Sequence, residues 1–246
     1  MNIEKIFEKL SLSRSCHSPF SEEYLELENE LLTSLTSSPL AKGGDGKIDF
    51  WNFGSLVIPH KKMGAITSLE LFGLDELIIF LFYKINATRY QSVADIGANI
   101  GLHSVILSKC GYDVQSYEPD ENHIKVINEH ANLNNISNIL VHQAAVSDQN
   151  GEVEFTRVLG NTTGSHISGS KEKPYGDLEK FTVNTIALPD IMKNVDLIKM
   201  DIEGHEAQAL LATASADWDN VDMMLEVGTP ENAILIFKHI TKLGLN

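Results

Sequence analysis

An α/β protein built on a parallel sheet is what this sequence predicts, and three observations predict it. From Ser92 onward, short apolar runs alternate with helix-patterned segments. The runs end at glycines, acids or prolines, the residues that close a strand and open a loop. Helix starts and stops fall between them, at Gly111, Asp120 and Thr229-Pro230-Glu231. Strands that alternate with helices in this way form a parallel sheet covered on both faces.

Each element follows from its own residues. Val93 to Ile96 reads as a first strand, and Leu102 to Cys110 as a helix closed by Gly111. Val114 to Tyr117 reads as a second strand that ends at Glu118-Pro119. Asp120 then caps a helix with Ile124, Ile127 and Ala131 on one face. Asn138 to Val146 reads as a third strand, Leu197 to Met200 as a fourth, and Met223 to Val227 as a fifth. A helix from about His205 to Leu211 lies between the last two, and a final helix opens at Thr229. Between the third and fourth strands lies an insertion with β-like pieces at Glu152 to Val158 and Phe181 to Ile186. The polar, glycine-rich stretch between those pieces has the length of a functional lid or of a disordered segment. Upstream, residues 1 to about 40 read as acidic helices, Ile48 to Ile58 as a β-like piece, and about Leu69 to Lys84 as a strong helix. The chain therefore divides into an N-terminal helical and β extension, 1–67, and a main domain, 68–246.

Composition narrows the function classes. The formal net charge of -15 opposes general nucleic-acid binding, because a phosphate backbone would meet a repulsive surface. The longest apolar run, Leu77 to Tyr83, is too short to span a bilayer. Cys16 and Cys110 have no metal or C-x-x-C spacing, and the first residues lack a signal-peptide core, so a cytoplasmic location is expected. The acidic N-terminal helices offer a homodimer contact or a cover over the site.

In an open parallel sheet, ligands bind beyond the carboxyl ends of the strands, where strand order reverses. The loop V-A-D-I-G-A-N-I-G-L-H-S (Val93–Ser104) lacks the G-x-G-x-x-G spacing of a pyrophosphate cradle. Gly97 and Gly101 allow close backbone approach, and Asp95 and Asn99 offer polar contacts. Glu118, 21 residues beyond Gly97, ends the next strand, where a carboxylate can accept both hydroxyls of a ribose. An acidic loop with a ribose-binding acid suits S-adenosylmethionine, which has a ribose and a sulfonium amino acid but no phosphate.

The segments V-A-D-I-G-A-N-I-G, Y-E-P-D, Q-A-A-V-S-D-Q-N-G and L-I-K-M-D-I-E-G-H-E together resemble the FkbM-type methyltransferase family, over about residues 68 to 227. That resemblance implies a class I Rossmann-like, doubly wound fold and S-adenosylmethionine-dependent O-methylation of sugars or natural products. It implies that Asp95, Gly97, Asn99, Gly101 and Glu118 line the cofactor site. It also implies a β-hairpin after the last helix, which this sequence does not contain. From their own positions, His103 opens the first motif helix, where it packs on or touches the cofactor, and Ala145 stands at a strand end facing the same crevice.

In D-I-E-G, Lys199 and Asp201 share a strand face, and Glu203 joins them if the extended conformation persists that far. Asp201, at the carboxyl edge, is the expected general base, with Glu203 and His205 as further catalytic candidates. Alternatively, Asp201, Glu203 and Glu226 bind a divalent cation that orients the acceptor hydroxyl. Two other function classes stay open: an NAD-dependent oxidoreductase, and a non-catalytic cofactor- or glycan-binding module that keeps the fold. The expected acceptor is a small molecule or glycan.

Overall fold

The computed structural model describes residues 3–171 and 176–245; Lys173 and the rest of 172–175, within the polar insertion, lie outside the described residues. In chain order the elements are α1 (Ile3–Leu12), α2 (Glu22–Thr36), β1 (Lys47–Asp49), β2 (Ser55–Val57), β3 (Lys62–Met63), β4 (Ile66–Thr67) and α3 (Leu74–Ile85). Then come β5 (Ser92–Ile96), α4 (Leu102–Lys109), β6 (Asp113–Tyr117), α5 (Glu121–Leu133), β7 (Ile139–His142) and β8 (Ala145–Ser147). The insertion holds β9 (Gly151–Val158), β10 (His166–Ile167) and β11 (Leu178–Ala187). The chain continues through α6 (Leu188–Met192), β12 (Leu197–Met200), α7 (Glu206–Leu211), β13 (Asp222–Leu225) and α8 (Pro230–Leu243).

The central sheet is wholly parallel, in the order β13-β12-β5-β6-β7. This is a doubly wound, Rossmann-like α/β fold. Alternate side chains along each strand enter different cores, as the strand period of two requires. Val93 and Leu197 face a cluster with Phe7, Leu27, Phe50, Phe80 and Val105, so the N-terminal helices, α3 and α4 cover that side. Ala94 and Ile198 face the opposite cluster, with Leu188, Ala209, Leu210 and Ile236 of α6, α7 and α8. Among the described residues β13 is the edge strand on its side. No helix of the described residues is long and apolar enough to cross a membrane.

Three elements depart from the sequence expectation, each for a local reason. The β-like piece at Ile48 to Ile58 is a hairpin, β1 with β2, interrupted by a 3-10 turn at Trp51–Phe53. There the aromatic rings of Phe7, Phe50 and Trp51 pack together, and Trp51 has φ of 44°. The expected third strand is two strands. The chain breaks at Gln143-Ala144, and β8 leaves the central sheet to pair in parallel with β11 of the insertion. The apolar face of α5 is rotated from Ile124 and Ala131 to His123, Ile127 and His130, which are the buried residues. Two histidines stand where the pattern of aliphatic residues alone pointed elsewhere.

The insertion is itself a sheet, ordered β10-β9-β11-β8. Its long hairpin pairs Gly151–Val158 with Leu178–Thr185. The N-terminal extension reaches it through Ala65, whose amide donates to the Gly160 carbonyl at 2.6 Å.

Candidate active site

Sheet order reverses between β5 and β12. The chain runs outward from β5 to β6 and β7, then returns to place β12 on the other side of β5. A cleft opens there, beyond the carboxyl ends of the strands. Gly97, Asn99, Glu118, Ala145, Asp201 and Glu203 line it, with Leu71 from the turn before α3 and Phe155, Thr162, Thr163 and Ser165 from the insertion. The loops after β5 and β12 meet at Gly97. A Cβ added there would lie 1.8 Å from the Asp201 carbonyl oxygen, and φ is +77°, so only glycine fits.

At the β6 end, Glu118 is held by backbone. Its Oε2 accepts the Asn99 amide at 2.8 Å and its Oε1 accepts the Asp120 amide at 2.9 Å. A carboxylate offers about four lone-pair sites, so acceptor capacity remains for a ligand in the cleft. His123 stands beside it, with Nδ1 3.5 Å from Glu118 Oε1. Burial pulls the His123 pKa down, but the hydrogen bond and charge of Glu118, helped by Asp120, outweigh it, and the net shift is upward. Asn99 Oδ1 is buried and lacks a hydrogen-bond partner among the described residues.

At the β12 end the carboxylates meet charge rather than backbone. Asp201 follows Met200 directly, 3.9 Å from the Lys199 ammonium, and that ammonium also stands 3.7 Å from the buried Asp95. Burial works against the charge of Lys199, yet Asp95, Asp201, Glu76 and Glu226 raise its pKa. Glu203 does not continue the strand. It adopts φ of 57° at the turn, and its carboxylate pairs with Lys171 of the insertion. Burial raises the Glu203 pKa, with repulsion from Asp201 and Glu206 added and Lys171 opposing. Glu226, beyond β13, is raised chiefly by the charge of Asp201, then by burial and Glu203.

The turn itself is shaped by Glu206, which is 1% exposed and whose Oε1 accepts the amides of Ile202 and Gly204, each at 3.1 Å. At Gly204 (φ +103°) a Cβ would press within 2.9 Å of the Ser170 carbonyl. The D-I-E-G turn is therefore locked against the insertion.

The family model for the methyltransferase FkbM domain matches residues 95–242, from the end of β5 into α8. The chain belongs to the FkbM methyltransferase family. No curated protein matches it. Among solved structures it is similar to a precorrin-6y C5,15-methyltransferase from Geobacter metallireducens GS-15, at 11% identity and a TM-score of 0.41, covering 75% of this chain and 76% of that one. It is also similar to an S-adenosylmethionine-dependent methyltransferase from Agrobacterium tumefaciens, at 8% identity and a TM-score of 0.41, covering 68% of this chain and 50% of that one.

For an FkbM-family chain the cofactor is S-adenosylmethionine, and the β6 end fits it: Glu118 keeps acceptor capacity, Asn99 Oδ1 has no partner, and Gly97 permits close approach. Four of the expected residues do not line the cleft. Asp95 is fully buried below it, accepting the Ser104 hydroxyl at 2.5 Å. Gly101 (φ +81°) starts α4 and packs on Ile127. His103 is held between the Tyr83 hydroxyl, at 3.0 Å, and Glu76, at 2.8 Å. His205 bridges Ser147 at 2.9 Å and Ser170 at 3.0 Å, and burial lowers its pKa. Ser147 donates its own proton to Asp148, which leaves its oxygen to accept from His205 Nε2.

The cation reading of Asp201, Glu203 and Glu226 does not fit. Lys171 already neutralises Glu203, Lys199 faces Asp201, and among the described residues no three acidic, histidine or cysteine groups converge as a metal site. Sequence reasoning missed His123 and Glu206. For Glu206 a signal existed, as the second acid of E-G-H-E, three residues beyond Glu203 and able to reach back over a tight turn. For His123 the signal was its one-turn spacing from Ile127 on α5.

Proposed function

We propose that this methyltransferase acts on oxygen, methylating a hydroxyl of a sugar, a glycan or a glycosylated metabolite. The observation that carries the reading is the meeting of two unlike carboxylates in one cleft. Glu118 is held by backbone amides at one end, and Asp201 stands beside the Gly97 contact at the other. Residues 68–246 carry the cofactor-binding domain, and the 1–67 extension packs against it.

Bound in the cleft, S-adenosylmethionine supplies an electrophilic methyl on a sulfonium. Glu118 would accept the ribose hydroxyls, and Asn99 and Gly97 would hold the remainder of the nucleoside and amino-acid portions. The acceptor enters from the side of Thr162, Thr163 and Ser165, whose polar lining suits a hydroxyl-rich molecule. Asp201 would orient the attacking hydroxyl and take its proton as the oxygen–carbon bond forms and the methyl–sulfur bond breaks, the sulfonium leaving as a neutral thioether; such assistance is typically worth about 10²–10⁴ in rate. Lys199 stays beneath Asp201 as its countercharge. Glu203, drawn to Lys171, fixes the insertion over the acceptor side.

The test is methyl transfer from labelled cofactor to a panel of glycans, free sugars and glycosylated small molecules, with and without chelator. Label on a hydroxyl oxygen, insensitive to chelator, is the expected result. A folded, cofactor-binding chain that labels only nitrogen or carbon acceptors contradicts it.

A further inference from the structure

One buried ion pair joins the inserted hairpin to the cofactor loop. Arg157 of β9 donates Nε–H to Asp120 Oδ2 at 2.6 Å and Nη2–H to Asp120 Oδ1 at 2.7 Å. Its third nitrogen pairs with Glu179, and the Phe181 ring lies 4.5 Å from the guanidinium carbon. The side chains of Arg157 and Asp120 are 9% and 1% exposed.

Capping α5 does not require this arrangement. Asp120 Oδ1 already accepts the Asn122 amide at 2.8 Å, as a cap should. Ser21 and Thr229 cap their helices through a hydroxyl and use no cation. A buried ion pair costs desolvation and gains little net stability over an apolar pair, whereas a bidentate guanidinium–carboxylate contact fixes position. What it fixes here is Asp120, and the Asp120 amide is the donor that holds Glu118 Oε1.

We propose that Arg157 is a positioning residue for the cofactor: by gripping Asp120 it sets the Glu118 carboxylate for the ribose, which makes the inserted hairpin part of the cofactor site. β9 also carries Phe155 into the cleft. The inference rests on the reading of Glu118 as the ribose acceptor, and the experiment separates the two.

The measurement is calorimetric titration of the full chain with S-adenosylmethionine, alongside thermal unfolding. Arg157→Met alone leaves the Asp120 charge buried, so the informative variant is R157M/D120N, in which asparagine still caps α5. This variant is expected to unfold near the wild-type temperature and to bind cofactor roughly tenfold more weakly, the effect of loosening one charge-assisted hydrogen bond. In turnover, KM for the cofactor rises while kcat at saturation holds. Glu118→Gln reports on the underlying reading. Weakened binding in Glu118→Gln with wild-type affinity in the double variant overturns the clamp alone. Unaltered binding in Glu118→Gln, or no binding by the wild-type chain, overturns both. Should the double variant not fold, Arg157→Lys decides: it keeps Asp120 neutralised but grips one oxygen. A several-fold loss of affinity then supports the clamp, and wild-type affinity overturns it.

Discussion

The two ends of the cleft use carboxylates in opposite ways. Glu118, at the β6 end, is held by two backbone amides that cannot titrate or swing, with His123 beside it. Asp201, Glu203 and Glu226, at the β12 and β13 end, face ammonium groups and one another, and the pKa values of both glutamates are raised. Amides aimed at a carboxylate preorganise a binding end. Acids clustered near a buried lysine instead raise the pKa values of Glu203 and Glu226 by mutual repulsion, together with burial. On the proposed reading, binding and chemistry are divided between the loops of different strands, which meet where Gly97 packs on the Asp201 carbonyl.

Breaking the scaffold of the binding end should have the largest effect. Arg157→Met leaves Asp120 charged and buried, at an expected cost of about 3–5 kcal/mol. Denaturant unfolding should show that loss and its recovery when Asp120→Asn is added. Recovery is expected because Asp120 has its pKa lowered: burial opposes its charge, but Arg157 overcomes the penalty. That contribution is present above the unfolded value of about 3.9 and is lost as pH falls through the folded value.

His123 gives a smaller, pH-dependent effect of the opposite sense. Its folded pKa is raised, so its stabilising share is full below about 6.5 and lost as pH rises through the folded value. Urea unfolding across pH 6 to 9 should show this decline in the wild-type chain. In His123→Asn the decline should be absent.

The smallest effect belongs to the other end. Glu226 is exposed, and its pKa is raised mainly by Asp201, so ionising it costs stability as pH rises through its folded value. Glu226→Gln should raise the unfolding free energy slightly at pH 8, by about a few tenths of a kcal/mol. At pH 4 it should change nothing. An equal gain at both pH values would mean that packing, not repulsion, is responsible.

Much of the sheet was legible because its signals are local. The β5 and β12 runs, the Asp120 cap and the Thr229-Pro230 start each declare themselves within a few residues. Gly97, Glu118 and Asp201 were legible as site candidates because the crevice of a parallel sheet must lie at strand ends. What escaped depends on distant pairing. β8 leaves the central sheet because β11, some forty residues later, offers it a partner. Arg157 meets Asp120 across 37 positions, and Lys171 meets Glu203 across 32. The left-handed turn at Glu203 follows from the reach of Glu206 to two amides, which no strand periodicity contains.

The division of labour is tested most directly by measuring cofactor affinity and saturated turnover in Glu118→Ala and Asp201→Ala. Glu118→Ala should weaken S-adenosylmethionine binding by roughly 10–150-fold, the loss of a hydrogen-bonded charged acceptor, with turnover at saturation near wild type. Asp201→Ala should leave affinity near wild type and lower turnover by about 10²–10⁴. Wild-type turnover in Asp201→Ala, or parallel losses of affinity and turnover in both variants, would contradict the account.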